Sequence, residues 1–147
     1  MEVITSNYRI AHGVLEARAL IASLYDQPGS RPDLVYGISN MDTLERYFPE
    51  YSTDFGNPAR MAAGVNSRLI YTSIKGPIYG RSDTRLHRQS RYLPPEELDG
   101  CTDLTIVGNT VVFMSATGTQ MVSQSITNAA LAAQMTSFFN FLWNHAS

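Results

Sequence analysis

The sequence predicts a mixed β-sheet flanked by helices: an α/β domain, with α+β as the alternative. Three observations carry this reading. Asp103 to Val107 and Thr110 to Ser115 are near-continuous apolar strand runs joined by Gly108-Asn109, residues that tolerate the positive φ of a tight hairpin. A third strand-like run follows around Gln120 to Ser125. The chain then closes on residues 128–144, where Leu131, Met135, Phe138 and Leu142 recur at helical spacing. Alternating helix and strand early, with a β meander late, is the pattern of a mixed sheet between helices.

The elements follow in order. Residues 10–25 have helical spacing, with Ile10, Val14, Leu15, Leu20, Ile21 and Leu24 on one broad face. Two prolines and a glycine between Asp26 and Pro32 end that helix. Leu34 to Ile38 is a short buried strand. Asn40 or Asp42 caps the next helix, in which Met41, Leu44, Tyr47 and Phe48 lie three or four apart; Pro49 limits it. Residues 55–64 form another short helix with Pro58 in its first turn and Gly64 at its end. Leu69-Ile70-Tyr71 marks a strand within 65–72. Ser73 to Gln89 is the most polar and least periodic segment, a loop or helix, and Ser90 to Leu93 is a strand closed by Pro94-Pro95. The expected sheet has about five to seven strands, with the Gly108-Asn109 hairpin central and the last helix packed on it.

Length and composition set limits. The 147 residues read as one domain, 1–147, with enough chain to bury a core. Hydrophobic residues make up 44% and charged residues 16%, ordinary for a globular protein. A net charge of −2 gives no electrostatic case for nucleic acid. Cys101 is the single cysteine, so no intrachain disulfide and no thiolate metal site is expected. Nothing in its sequence surroundings points to a reactive thiol. The first residues, Met1-Glu2-Val3-Ile4-Thr5, lack the basic start and long apolar run of a signal peptide, and no window approaches the roughly 18 apolar residues of a membrane span. A cytoplasmic protein with no membrane partner is the expectation.

Five potentially cationic groups, Arg81, Arg85, His87, Arg88 and Arg91, crowd into a short stretch. Arg81, Arg85 and Arg88 fall on one face if the segment is helical. They could then grip a phosphate or carboxylate through forked hydrogen bonds. The alternative is a solvated face whose arginines pair with Glu96, Glu97 and Asp99. Asp103 is placed either to hydrogen-bond a sugar hydroxyl from the sheet or to serve as a turn residue before Leu104. Trp143 fits a sugar-stacking role less well than a place in the core of the last helix. Tyr47, Phe48, Tyr51 and Phe55 cluster beside Pro49, either as packing or as a partner surface. Ser39, Ser115 and Ser123 lack a Gly-x-Ser-x-Gly elbow, and there is no Gly-rich phosphate loop and no spaced metal-ligand set. Neither a metal nor a cofactor is expected.

Laid end to end, several segments resemble the C-terminal effector domain of TrmB-type prokaryotic transcriptional regulators, the sugar-sensing family. They are Val35-Tyr36-Gly37 with the helix from Leu44 to Tyr51, then Gly64 to Tyr71, Arg91-Tyr92-Leu93-Pro94, the strand pair around Gly108-Asn109, and Phe138 to Trp143. The resemblance covers roughly residues 8–145 and rests on order and spacing. It implies a phospholipase D-like fold. The enzymes of that fold carry a His-x-Lys motif, with His as the nucleophile and Lys on the phosphate. Here His12, His87 and His145 are followed by Gly-Val, Arg-Gln and Ala-Ser, and Asp103 lies about where the catalytic His would stand. Phosphodiester chemistry by that route is not expected.

Family regulators place a winged helix-turn-helix before this domain, and this chain begins almost at the domain itself. An excised effector domain or a stand-alone relative is therefore expected, with DNA contacted only through a separate or missing helix-turn-helix. The resemblance points to a non-enzymatic ligand-sensing or dimerisation domain. Its alternatives are a small-molecule enzyme on a similar sheet and a structural interaction module. A homodimer is expected from the resemblance and from the eight Tyr, six Phe and one Trp. The candidate surfaces are the region from Tyr47 to Phe55 and the flank of the last helix.

Overall fold

The computed structural model of the chain describes residues 7–26, 32–49, 56–98 and 103–147. Strand β1 (Tyr8–His12) leads into helix α1 (Gly13–Tyr25), and β2 (Leu34–Asn40) into α2 (Met41–Tyr47). Helix α3 (Asn57–Ala62) precedes β3 (Asn66–Thr72), the two-residue β4 (Ser82–Asp83) and β5 (Arg88–Tyr92). The meander is β6 (Asp103–Val107), β7 (Thr110–Thr117) and β8 (Gln120–Thr127), followed by α4 (Ala129–His145). All eight strands form one mixed sheet in the order β1-β8-β7-β6-β2-β3-β5-β4. Pairings β2–β3 and β3–β5 are parallel; the others are antiparallel.

Two apolar layers cover the two faces. On one, Ala17, Leu20, Ile21 and Tyr25 of α1 pack with Leu44 and Phe48 against Val35, Val107, Val112 and Met114. On the other, Ala132, Phe139 and Trp143 of α4 pack against Ile38, Ile70, Leu104, Ile106 and Val111. Strand alternation decides the split, because successive residues point to opposite faces. Thus Leu104 and Ile106 face α4, while Asp103, Thr105 and Val107 face the α1 layer.

Local chemistry sets the element ends. The Asn40 side chain accepts from the Asp42 and Thr43 amides at 3.1 and 3.2 Å and so opens α2. Asn128 does the same for α4, accepting from Leu131 N at 2.9 Å. Gly108 takes φ +58 in the β6–β7 hairpin, while Asn109 does not take a positive φ. A glycine alone at the first turn position is the pattern of a type II′ turn.

The expected helix over 10–25 begins only at Gly13. Gly13 has φ +78 and breaks the segment into a strand and a helix, and β1 pairs with β8 from Tyr8↔Ile126 to His12↔Val122. Ile10, Val14 and Leu15, placed by helical spacing on the inner face, are exposed instead. The sheet has one strand more than expected at most, because β1 and β4 lack a period-two signal. Residues 73–89 hold no α-helix; they contain β4 and a 3-10 turn, Thr84–Leu86. The β6–β7 hairpin does lie inside the sheet, and the last helix does pack on it, although Phe138 is 55% exposed rather than inward.

Candidate functional site

Near the middle of the sheet, the face beneath α1 and α3 turns polar. Ser39 of β2 stands directly across from Asp103 of β6, and Gly37 across from Thr105. Further along the same face, Ser67 of β3 stands beside Arg88 of β5. Between these two polar ends lies a cavity of about 70 Å³, whose walls include Tyr25, Gly37, Ser39, Arg60, Arg88 and Asp103. Gly37 lines it without a side chain; a Cβ there would meet Leu69 Cδ1 at 3.4 Å, an ordinary contact. The space exceeds the roughly 10–15 Å³ that one water requires.

Asp103 is 4% exposed. The Ser39 hydroxyl donates to its Oδ1, and Thr105 Oγ1 donates to its Oδ2 at 3.1 Å. Burial pushes the carboxyl pKa up to about 6, and the two hydroxyl donors pull it partly back. Burial wins because the carboxylate accepts from neutral donors and forms no ion pair with a described residue. The Tyr25 phenol, from α1, is pushed up to about 12, again mainly by burial, with Arg60 opposing.

Two arginines wall the same cavity. Arg60 of α3 is 3% exposed and donates four hydrogen bonds. Nη1 reaches Val65 O at 2.7 Å and His87 O at 3.2 Å; Nη2 reaches Leu86 O at 2.5 Å and Asn57 Oδ1 at 3.1 Å. It thereby ties α3 to the 3-10 turn before β5. Arg88 is 8% exposed and differs sharply. Its guanidinium lies over the Tyr79 ring, 4.5 Å from the centroid, and its buried Nε has no hydrogen-bond partner. Burial lowers the pKa of both guanidiniums, and in Arg60 the charge of Arg88 lowers it further. A second, open groove of about 470 Å³ reaches Arg88 and Ser67 from the side of Asp83, Thr84 and His87.

The arginines expected to act together do not share a helix. Arg81 is exposed, and its carbonyl accepts from Ser90 N at 2.9 Å. Arg85 is exposed and binds its neighbour Asp83 at 3.4 Å. Arg91 lies on the opposite face, donating to Trp143 O at 2.5 Å and stacking over the Trp143 ring at 4.5 Å. Of that group only Arg88 joins Asp103 on the cavity wall. The expected pairing with Glu96 and Glu97 is absent too, since Glu97 faces His145 at 3.9 Å. Asp99 lies outside the described residues.

Asp103 is a strand residue with a buried carboxylate, not a turn residue. Trp143 is a core residue stacked on Phe139, with ring centroids 5.7 Å apart. In the aromatic cluster, Phe48 is 2% exposed and packs in this chain's own core, out of a partner's reach. Tyr47 is half-buried, donating to Gly118 O at 3.2 Å. Tyr51, Phe55 and Cys101 lie outside the described residues. Arg60 and Tyr25 were not singled out from sequence, and Ser39 was weighed only as a nucleophile. Ser39 stood just beyond the anticipated strand from Leu34 to Ile38, but nothing in the sequence marked Arg60 as buried. Among the described residues, no three His, Cys, Asp or Glu side chains come together as a metal site. No described helix is long and apolar enough to cross a membrane.

No family model and no curated protein matches the sequence. Solved structures do. The chain superposes on Nuc from Salmonella typhimurium, a phospholipase D family member, with a TM-score of 0.65 at 16% identity, covering 95% of each chain. The fold is phospholipase D-like. NucT from Helicobacter pylori matches at TM-score 0.52 and 11% identity, over 95% of this chain and 98% of NucT. TrmBL2, an archaeal chromatin protein whose structure shows a novel mode of DNA binding, matches at TM-score 0.66 and 13% identity over 99% of this chain. The chain spans 56% of TrmBL2's length. In this phospholipase D-like sheet, Asp103 and Thr105 point from β6 to one face.

Proposed function

We propose that this phospholipase D-like domain is a non-catalytic effector module of a transcriptional regulator. It binds a small molecule in the cavity between Asp103 and Arg88 and transmits binding through its own homodimer. The observation that carries the reading is Asp103, engaged by Ser39 and Thr105 on the strand where the resemblance puts a nucleophilic histidine. A carboxylate held by two hydroxyls, with no lysine two residues on, has neither the nucleophile nor the phosphate cation of that chemistry. What remains is a small walled cavity with a donor-rich end and an acceptor end, and it shares Ser67, Arg68 and Arg88 with the open groove of about 470 Å³, which is large enough for a small molecule.

The likeness to TrmBL2, a DNA-binding chromatin protein, favours a regulatory setting. A net charge of −2 leaves DNA contact to a separate helix-turn-helix. For the dimer, support comes from Phe138 and Phe141, one turn apart on the outer flank of α4 and 55% and 75% exposed. Transmission requires that the ligand bind one dimer arrangement better than the other. Native mass spectrometry of the purified chain tests both parts: a dimer retaining a small-molecule mass is the expected result. Metal-independent turnover of a generic phosphodiester by the clean protein would overturn the non-catalytic reading.

A further inference from the structure

Arg88 is a buried cation without an anion. Among the described residues it forms no ion pair, and its Nε–H is sealed from solvent without an acceptor. Arg60 stands on the same cavity wall, so two guanidiniums share a desolvated space. Arg60 spends four N–H donors on protein acceptors, which leaves its charge uncompensated. Buried charges are normally paired, and an orphaned buried donor is costly.

The groups facing Arg88 do not resolve this. Asp83 lies opposite it across the β4–β5 pair, but that carboxylate accepts from the Arg85 amide at 3.0 Å and from its guanidinium at 3.4 Å. Tyr79 offers a ring face, and its own ring packs on Tyr71, whose Oη accepts from Tyr79 N at 3.0 Å. His87 lines the open groove and adds a third potential cation.

We infer that Arg88, with Arg60 behind it and Ser67 beside it, is the seat for the phosphate group of a small-molecule ligand that enters through the groove at the N-terminal ends of β3 and β5, beside β4. A phosphate fits better than a carboxylate. Its tetrahedral oxygens can accept from the Arg88 fork and the Ser67 hydroxyl together while its charge answers both guanidiniums, whereas one arginine satisfies a planar carboxylate. This deepens the effector reading above and rests on it only for the ligand's regulatory role.

The test is a titration of the 147-residue chain with inorganic phosphate, read on arginine Nε–H groups by proton–nitrogen correlation NMR. The expected result is a saturable shift of the Arg88 signal, with acetate at least about tenfold weaker. Arg88→Gln should weaken phosphate binding by about tenfold or more, while Arg85→Gln stays within about twofold of wild type. Should Arg88→Gln fail to fold, Ser67→Val provides the second arm: it blocks the seat, keeps both arginines and should abolish the shift. Movement of only the exposed Arg81 and Arg85 signals, or acetate binding as tightly as phosphate, overturns the inference. A retained neutral molecule with an unmoved Arg88 signal would leave the effector reading standing without this site. Phosphate binding at Arg88 in a chain that hydrolyses phosphodiesters would keep the site and remove the effector reading.

Discussion

Arg60 Nη1 donates to the carbonyl of His87 at 3.2 Å, joining a helix to a turn across 27 residues. The same carbonyl accepts from Ser67 N at 2.9 Å, so His87 is fixed from both α3 and β3. Replacing Arg60 by Met takes a donor from three backbone carbonyls inside the fold, of which that of His87 keeps the Ser67 amide. The expected loss is about 3 kcal/mol, read from the urea midpoint at constant m. Arg60→Lys should recover little, because one ammonium cannot span the acceptors a planar fork reaches. A Lys variant as stable as wild type would contradict this account.

His87 sits at φ +48, the one described residue other than glycine with positive φ. A β-branched side chain tolerates that region badly, so His87→Val should cost about 1–2 kcal/mol. His87→Gly should cost little or nothing. Equal midpoints for the two variants would show that the turn relaxes rather than bears strain.

Asp103 carries a pH signature of definite sign. Its folded pKa lies above the unfolded value, so its contribution is most favourable below about pH 4 and is lost as pH rises through about 6. At about 1.4 kcal/mol per pH unit, the carboxylate weakens the fold by roughly 3 kcal/mol at most above neutrality. Asp103→Asn keeps an acceptor and removes that cost. It should therefore be the more stable protein at pH 8, by a margin that shrinks as pH falls from 7 to 4. A pH-independent difference would show that Asp103 does not titrate in this range.

Two aromatic substitutions should separate core from surface. Phe48→Glu places a carboxylate at a fully buried position and should unfold the domain, at a cost of about 4 kcal/mol or more. Phe141→Glu alters an exposed site on α4 and should leave the midpoint within about 0.5 kcal/mol while converting the proposed dimer to monomer. Light scattering on wild type and variant decides it; a wild-type monomer at high micromolar concentration removes the dimer.

The late half of the fold was legible because its signals were local. The Gly108-Asn109 hairpin and the apolar repeat ending in Trp143 each need only neighbours in sequence to be read. The first helix misled because Ile10 and Val14 keep helical spacing while β8, distant in sequence, recruits the segment as a strand. Asp103 could be named from sequence, but its state could not: that depends on Ser39, brought opposite by the β2–β6 pairing. The arginine group dissolved for a related reason. Residues 81–91 form turn and strand, not helix, so alternation sends Arg88 and Arg91 to opposite faces. Arg60 escaped notice because a short helix shows no pattern that marks an arginine for burial.

The pairing of β1 with β8 joins residues more than a hundred positions apart. On the ribosome the segment carrying Tyr8 and Ile10 emerges first, yet its partner strand does not exist until residues 120–127 have been made. The meander can close through its own short turns as it emerges, whereas β1 has no partner strand until β8 has been made. Contacts of such long separation are slow to form. The β1 strand is therefore expected to join the sheet after the meander has formed, not before it.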